Sequence, residues 1–589
     1  MGGRFMSSHA LSNRHAAVLS GCCALLSIYS AVWLTDFSTS YHFGWCLKLG
    51  LLCFAGYRFW REPDLRLKKG YGIWGALFML ALGLGMRMDA AGQTGVRGLI
   101  GSFCLAACAG PAAGYTAIYA YRALNRFTKP MALRRGRAFC LSLGLLLLCW
   151  LPVLIAFFPG IAGYDMDFQI YQVTSGNYSA HHPLLHTLFL GIFCWLGEAL
   201  GSLTLGYGLH TLMQVAILAA SISYALAWLA GIGCPRWLWI ALLAYFALSP
   251  QHAVMACSGT KDILFAAAML AITVELCRLL LEPQRRLRRW VLAGDAALVA
   301  IACMLRNNAV YSFVLLIVIS FLFFRRKLGK RVLAATLSGV ILAQAGMIGL
   351  QAATGAASSS VREMLSIPCQ QLARVYDRYG LSIPEGYEII EVLPDAENYF
   401  PSRADFTKSS AKVTTSDRLM RFLKLWIREA LHHPVEYLDA FLYNTRGFWY
   451  VNDLSFATTY DEVEGSPVGC MALGHHDNIG IAAPWLLPGL RTLWQQLFTL
   501  NGYQRFPILW TLLHPAFYSW LLGFVLVWAW YRRDRQALFA GFGLACYLLS
   551  LLMGPCALIR YQYYLMLAAP VLLGYLCAVK RDCVPEAQQ

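Results

Sequence analysis

Two aspartates stand two residues apart in Asp165-Met166-Asp167, followed by Gln169 and then by His181, His182 and His186. A carboxylate in such a stretch can serve as general base for an incoming hydroxyl or amine. A pair of carboxylates can hold a divalent cation against a phosphate. Spacing alone does not separate either role from an ordinary solvated turn. Further along, Lys261-Asp262 sits at the mouth of an apolar run, where it reads either as an anchor with its counter-ion or as a point charge for a phosphate. Arg306 and Arg560-Tyr561 interrupt apolar sequence in the same manner. Paired arginines suit a phosphate or pyrophosphate, and head-group anchoring is the alternative. Arg446 and Trp449 combine a cation with an aromatic face, as sugar sites do, although an aromatic belt explains them too. His432-His433, before Pro434, reads as a helix-start turn rather than a metal site.

The elements that hold these residues are apolar. Of 589 residues, 58% are hydrophobic and only 13% charged, with a mean hydropathy of +0.53. A soluble chain of this length needs more charge to cover its surface, so the excess reads as lipid-facing helix. The net charge of +17 lies in short basic clusters between apolar runs. That is the pattern of cytoplasmic loops and argues against a nucleic-acid partner. The 19 cysteines are scattered, mostly within apolar runs, and none has zinc-site spacing. Cys369 and Cys470 are a candidate pair by location only.

Apolar runs near 17–35, 43–56, 72–86, 98–120, 139–158, 204–230, 237–250, 263–281, 290–305, 309–324, 332–352, 508–530, 537–553 and 562–579 predict about 14 transmembrane helices. Placing the Lys/Arg clusters inside puts both termini in the cytoplasm. It turns 159–183, 250–262, 306–308, 353–507 and 554–561 outward. This bookkeeping works only if the further apolar run 184–200 lies at the outer surface as a juxtamembrane helix rather than crossing. The segment 353–507 is too long and polar for a plain loop. Leu419, Phe422, Leu423, Trp426, Ile427 and Ala430 recur in it at helical spacing. The expected fold is an all-α polytopic membrane protein with four parts. These are a four-helix module over 1–138, a core over 139–352 with its first outer loop at 159–203, a mostly helical extracytoplasmic domain over 353–507, and closing helices over 508–589.

These motifs, taken in order, resemble the GT-C superfamily of membrane glycosyltransferases, which use polyprenyl-phosphate sugars, and most of all a bacterial branch of it. Pro159-Gly160, Asp165, Gln169 and His181-His182-Pro183 follow that branch's order. Lys261-Asp262, Arg306-Asn307-Asn308, Ile367-Pro368-Cys369-Gln370-Gln371 and Arg560-Tyr561 resemble its recurring elements. Met166 departs from the Ser usual there, and Leu184 replaces a second Pro. The likeness covers roughly 139–579 and leaves the first four spans without a reading.

The resemblance implies transfer of a sugar from polyprenyl phosphate to an extracytoplasmic glycan, lipid or protein acceptor, in contact with membrane lipid. It makes Asp165 the general base and Asp167 its orienter or a cation ligand. Lys261, Arg306, Arg560 and Tyr561 fall at the donor phosphate. Gln169, His181, His182, His186, Asp262, Arg446 and Trp449 shape the acceptor side. No cofactor follows from it, and a divalent cation, Mg or Mn, stays open. A transporter or flippase of lipid-linked saccharides is the main alternative and would favour the intramembrane Asp295; a surface-polysaccharide polymerase or ligase is another.

Overall fold

The computed structural model describes residues 12–35, 42–161, 164–453, 481, 482, 484, 486–498 and 506–578. It is 82% helix and has no strand among the described residues. The α-helices run in order as α1 (Asn13–Thr35), α2 (His42–Trp60), α3 (Leu65–Ala91), α4 (Gly95–Leu124), α5 (Arg135–Ala156), α6 (Tyr164–Ser175), α7 (Leu184–Ala199), α8 (Leu203–Gly231), α9 (Arg236–Leu248), α10 (Pro250–Cys257), α11 (Lys261–Leu281) and α12 (Arg289–Leu305). There follow α13 (Ala309–Ile319), α14 (Arg325–Thr354), α15 (Ser366–Tyr379), α16 (Pro384–Val392), α17 (Asp405–Lys408), α18 (Ser416–His432), α19 (Pro434–Thr445), α20 (Pro488–Phe498), α21 (Pro507–Leu513), α22 (Pro515–Tyr531), α23 (Arg535–Leu551) and α24 (Ile559–Leu576).

Each of the fourteen apolar runs falls on one or more of these helices, but fewer reach the length of a span. Seven described helices are long and apolar enough to cross a membrane: α1, α3, α4, α5, α8, α11 and the 330–354 part of α14. An eighth arises if α9 and α10, bent by 50° at their junction, count as one. The chain is thus a multi-pass, all-helical membrane protein, and the count of fourteen spans is not reached by length and composition. The reason is local. Pro250, the last residue of the run 237–250, takes the first position of α10, and α9 before it ends at Leu248 after only 13 residues. His514-Pro515 divides 508–530 between α21 and α22. Helices α12, α22 and α23 have 17 residues each, about 26 Å at 1.5 Å per residue, against a hydrocarbon core of about 30 Å. The run at 184–200 forms α7, only 16 residues long.

The chain divides into two compact units. The first comprises 1–127, 364–453 and 519–534. In it α3 and α4 approach so closely that a Cβ on Gly75 would strike the backbone of Gly110 and Gly114. This is the small-residue seam by which membrane helices pack. Residues 364–453 form a helical subdomain around Leu372, Ile389, Phe422 and Leu425. The amphipathic run recognised in the sequence is α18. The second unit comprises 128–363, 454–518 and 535–589. Its centre is α11, the most buried of the seven spanning helices, which lies against α8, α12, α23 and α24.

A candidate site built from helix ends

The stretch around Asp165 folds as α6, with Asp165 and Asp167 in its first turn. Carboxylates there complement the partial positive charge of a helix N-terminus. Backbone bonds fix where α6 begins. Ile161 N–H donates to Cys257 C=O at 2.8 Å, and Gly259 N–H donates to Ile161 C=O at 3.0 Å. The strand-like bridge Ile161–Ser258 therefore staples the entry of α6 to the entry of α11. From α8, the Tyr207 hydroxyl donates to Ile161 C=O at 3.0 Å. The Gln214 amide donates to Ala256 C=O at 3.0 Å and to Ser258 C=O at 2.5 Å.

This frame brings Asp165 to Lys261, the first residue of α11. Lys261 Nζ stands 2.5 Å from Asp165 Oδ2. Arg560, at the start of α24, places Nη1 2.8 Å from the same oxygen and 3.7 Å from Asp262 Oδ2. Asp262 is 1% exposed and accepts from Nε of Arg306, the residue capping the end of α12, at 2.6 Å. A second guanidinium nitrogen of Arg306 also meets the same oxygen. Tyr561 lies under both guanidinium groups, 4.5 Å from Arg306 and 5.0 Å from Arg560. Three cations and two carboxylates thus share one buried cluster, with one positive charge in excess.

The electrostatics follow from the sequence positions. Lys261 and Arg560 sit at helix N-termini, the wrong end for a cation, and need the carboxylates beside them. Arg306, at a helix C-terminus, is favoured there. Burial pushes the Asp165 carboxyl up, but Arg560 and then Lys261 overcome it and hold the group well below the ordinary carboxylate range. His182 is 8% exposed, and burial lowers its imidazole to about 3 despite the nearby Asp165.

The other expected residues fall into two groups. Gln169 and His186 are fully buried beside the cluster and joined at 3.0 Å, with Gln169 also donating to the Thr187 hydroxyl at 2.9 Å. His181 is half exposed, 3.9 Å from Glu363. Asp167 does not share the anion position of Asp165. Two residues along a helix is a turn of about 200°, and Asp167 is instead an electrostatic neighbour of Tyr207. Arg446 and Trp449 belong to the first compact unit. There Arg446 pairs with Asp453 at 2.6 Å and with Asp89 at 2.9 Å, and Tyr450 donates to Asp89 at 2.6 Å. This tie fastens the end of the 364–453 subdomain to the end of α3. Cys470 lies outside the described residues; Cys369 is buried.

Tyr207, His210, Thr211 and Gln214, all buried on α8, belong to none of the motifs that stand out in the sequence. They recur at i, i+3, i+4 and i+7 in an otherwise apolar helix, a polar stripe facing inward. Neither ring nitrogen of His210 has a hydrogen-bond partner among the described residues, and its ring centroid stands 5.9 Å from that of His186.

Residues 171–588 match a family described as a family of unknown function, DUF6020. The chain belongs to the DUF6020 family. The DUF6020 match contains Lys261, Asp262, Arg306, Arg560 and the three histidines, while Asp165 lies just ahead of its start. No curated protein and no solved structure matches the chain.

Proposed function

We propose that this protein is a membrane glycosyltransferase of the GT-C kind, moving one sugar from a polyprenyl-phosphate donor to an acceptor outside the cytoplasm. The observation that carries the reading is the buried contact of Asp165 with Lys261 and Arg560, backed by the Asp262–Arg306 pair. A carboxylate at the edge of a cationic recess, at the ends of apolar helices, has the two parts that inverting transfer needs: a base, and an anion-stabilising cluster.

In the proposed reaction Asp165 takes the proton of the acceptor hydroxyl or amine. The freed lone pair attacks the anomeric carbon. The bond from that carbon to the phosphate oxygen breaks with inversion, and the phosphate leaves with the bonding pair. Lys261, Arg560 and Arg306 stabilise the charge that builds on it, the kind of contribution that is usually the largest in catalysis. Asp165 is a weak base while both cations bind it. Arrival of the donor phosphate draws Lys261 and Arg560 away and restores its basicity, so base strength is coupled to donor occupancy. His182, neutral at physiological pH, flanks Asp165 on the acceptor side. Charge neutralisation is assigned here to side chains; a Mg or Mn ion, if one takes part, would reach Asp165 without Asp167 on the same face.

Labelled-sugar transfer in membranes tests this. Asp165→Asn is expected to lose about 10²- to 10⁴-fold in rate with the protein still made and inserted. Full activity in that variant removes Asp165 from the role. Failure with a monophosphate donor but turnover of a pyrophosphate-linked oligosaccharide would instead indicate a polymerase or ligase.

One observation favours the transport alternative. Asp295 lines a cavity with Glu275 between α11, α12 and α14, and its Oδ2 is buried without a hydrogen-bond partner among the described residues. Intramembrane carboxyls of this type serve proton relays. Under that reading Asp295→Asn stops movement of a lipid-linked saccharide across proteoliposomes; under ours it leaves sugar transfer intact.

A further inference from the structure

The 364–453 subdomain carries a group of side chains that sugar transfer does not use. Glu385 stands in the first turn of α16, and Glu429 and His432 in the last turn of α18. One donor atom from each lies within 4.8 Å of the others. His432 is three residues beyond Glu429, so both side chains project from one helix face.

Glu429 distinguishes this group from an ordinary surface cluster. Its side chain is 0% exposed. One oxygen accepts from Arg428 Nε at 3.0 Å. The other, Oε2, is buried and has no hydrogen-bond partner among the described residues, and His433 Nε2 stands 3.6 Å from it. Buried carboxylate oxygens are normally satisfied by a donor or a cation. Here Glu429 is fixed by the packing of α18, while half-buried Glu385 and exposed His432 stand at the solvent edge and are able to close on a ligand.

We propose that Glu385, Glu429 and His432 bind one divalent transition-metal ion, with His433 or water completing the shell. Mixed carboxylate oxygen and imidazole nitrogen donors suit zinc and its first-row neighbours, whereas calcium and magnesium prefer oxygen alone. Zinc bonds of about 2.0–2.2 Å to such atoms require the two edge side chains to rotate inward. The ion would clamp α16 to α18 over the subdomain core. The site is independent of the sugar-transfer reading.

The test uses the full-length protein, purified without a polyhistidine tag and stripped with a chelator. Titration with Co²⁺ is expected to give a visible absorption band saturating at one equivalent and displaced by Zn²⁺, with a rise in Tm on zinc addition. His432→Ala and Glu385→Gln, at the solvent edge, are expected to fold and to lose at least about tenfold in affinity; Glu429→Gln loses the band. His15→Ala, at an exposed residue in the first turn of α1, keeps it. A wild-type protein with no band, or edge variants that bind cobalt as the wild type does, overturns the site.

Discussion

At the residue scale five charges share one buried space, and the proposed reaction depends on how they divide it. Asp262 and Arg306 are nearly dehydrated, and breaking such a pair by removing one partner costs about 3–5 kcal/mol; we read them as the rigid back wall of the cluster. Asp165 is different, because one of its two cations has a second demand: Arg560 also faces Asp262. His182 gives the residue scale a pH signature. Its imidazole ionises near about 3 in the folded protein against about 6.5 in an unfolded chain. Between these values the unfolded chain holds a proton that the folded one refuses, so this contribution to stability is complete above about pH 6.5 and falls away as the pH drops toward about 3. Melting curves of purified His182→Gln are expected to fall less steeply than wild type over pH 6.5 to 4; identical slopes would mean that the ring is not kept neutral by its burial.

At the element scale the site is a meeting of helix ends, and Gly259 marks the tightest join. A Cβ there would run into Met166 of α6 and Tyr207 of α8. Gly259→Ala is therefore expected to push α6, and Asp165 with it, away from Lys261. Transfer should drop at least about tenfold, since small misplacements of reacting groups cost about 10²-fold, with insertion and expression near normal. Undiminished transfer in this variant would show that α6 tolerates the shift. Much of this arrangement was legible in sequence. The helices themselves follow from apolar runs, and Lys261, Arg306 and Arg560 stand out because charges interrupt such runs. What escaped was pairing. No spacing rule says that 165 meets 560 or that 262 meets 306. The α6 helix was hidden because a 12-residue polar segment with an Asp pair reads as a turn. The stripe Tyr207, His210, Thr211, Gln214 was readable, since its helical period is as regular as that of an apolar face. The span count fell short where Pro515 divides the run 508–530 and where α9 ends at Leu248, ahead of Pro250, after 13 residues.

At the scale of the molecule, α11 carries charge at both ends. Lys261 and Asp262 open it, and near its close Glu275 pairs with Arg278 at 2.8 Å and with Arg285 at 2.6 Å, about 21 Å along the helix at 1.5 Å per residue. Helix α11 as a whole has 21 residues, about 32 Å at 1.5 Å per residue, enough to cross the hydrocarbon core, so the proposed reaction needs its two ends on opposite membrane faces. Basic loops belong to the cytoplasm, and Arg288 and Arg289 follow the second cluster. In a background without native cysteines, Asn177→Cys is expected to react with a membrane-impermeant thiol reagent in intact cells, and Arg288→Cys only after lysis. The reverse pattern would put the acidic helix in the cytosol and end the proposed reaction.

The most direct test separates phosphate binding from transfer. Purified protein in lipid nanodiscs is titrated with polyprenyl phosphate, and the bound fraction is read by native mass spectrometry. Lys261→Met and Arg560→Met are expected to weaken binding about 10²-fold, on the scale of losing one charge-stabilising donor. Asp165→Asn is expected to tighten it, because the resident carboxylate no longer competes for the two cations, while abolishing transfer. Weaker binding in Asp165→Asn, or equal binding in all four proteins, would contradict the account.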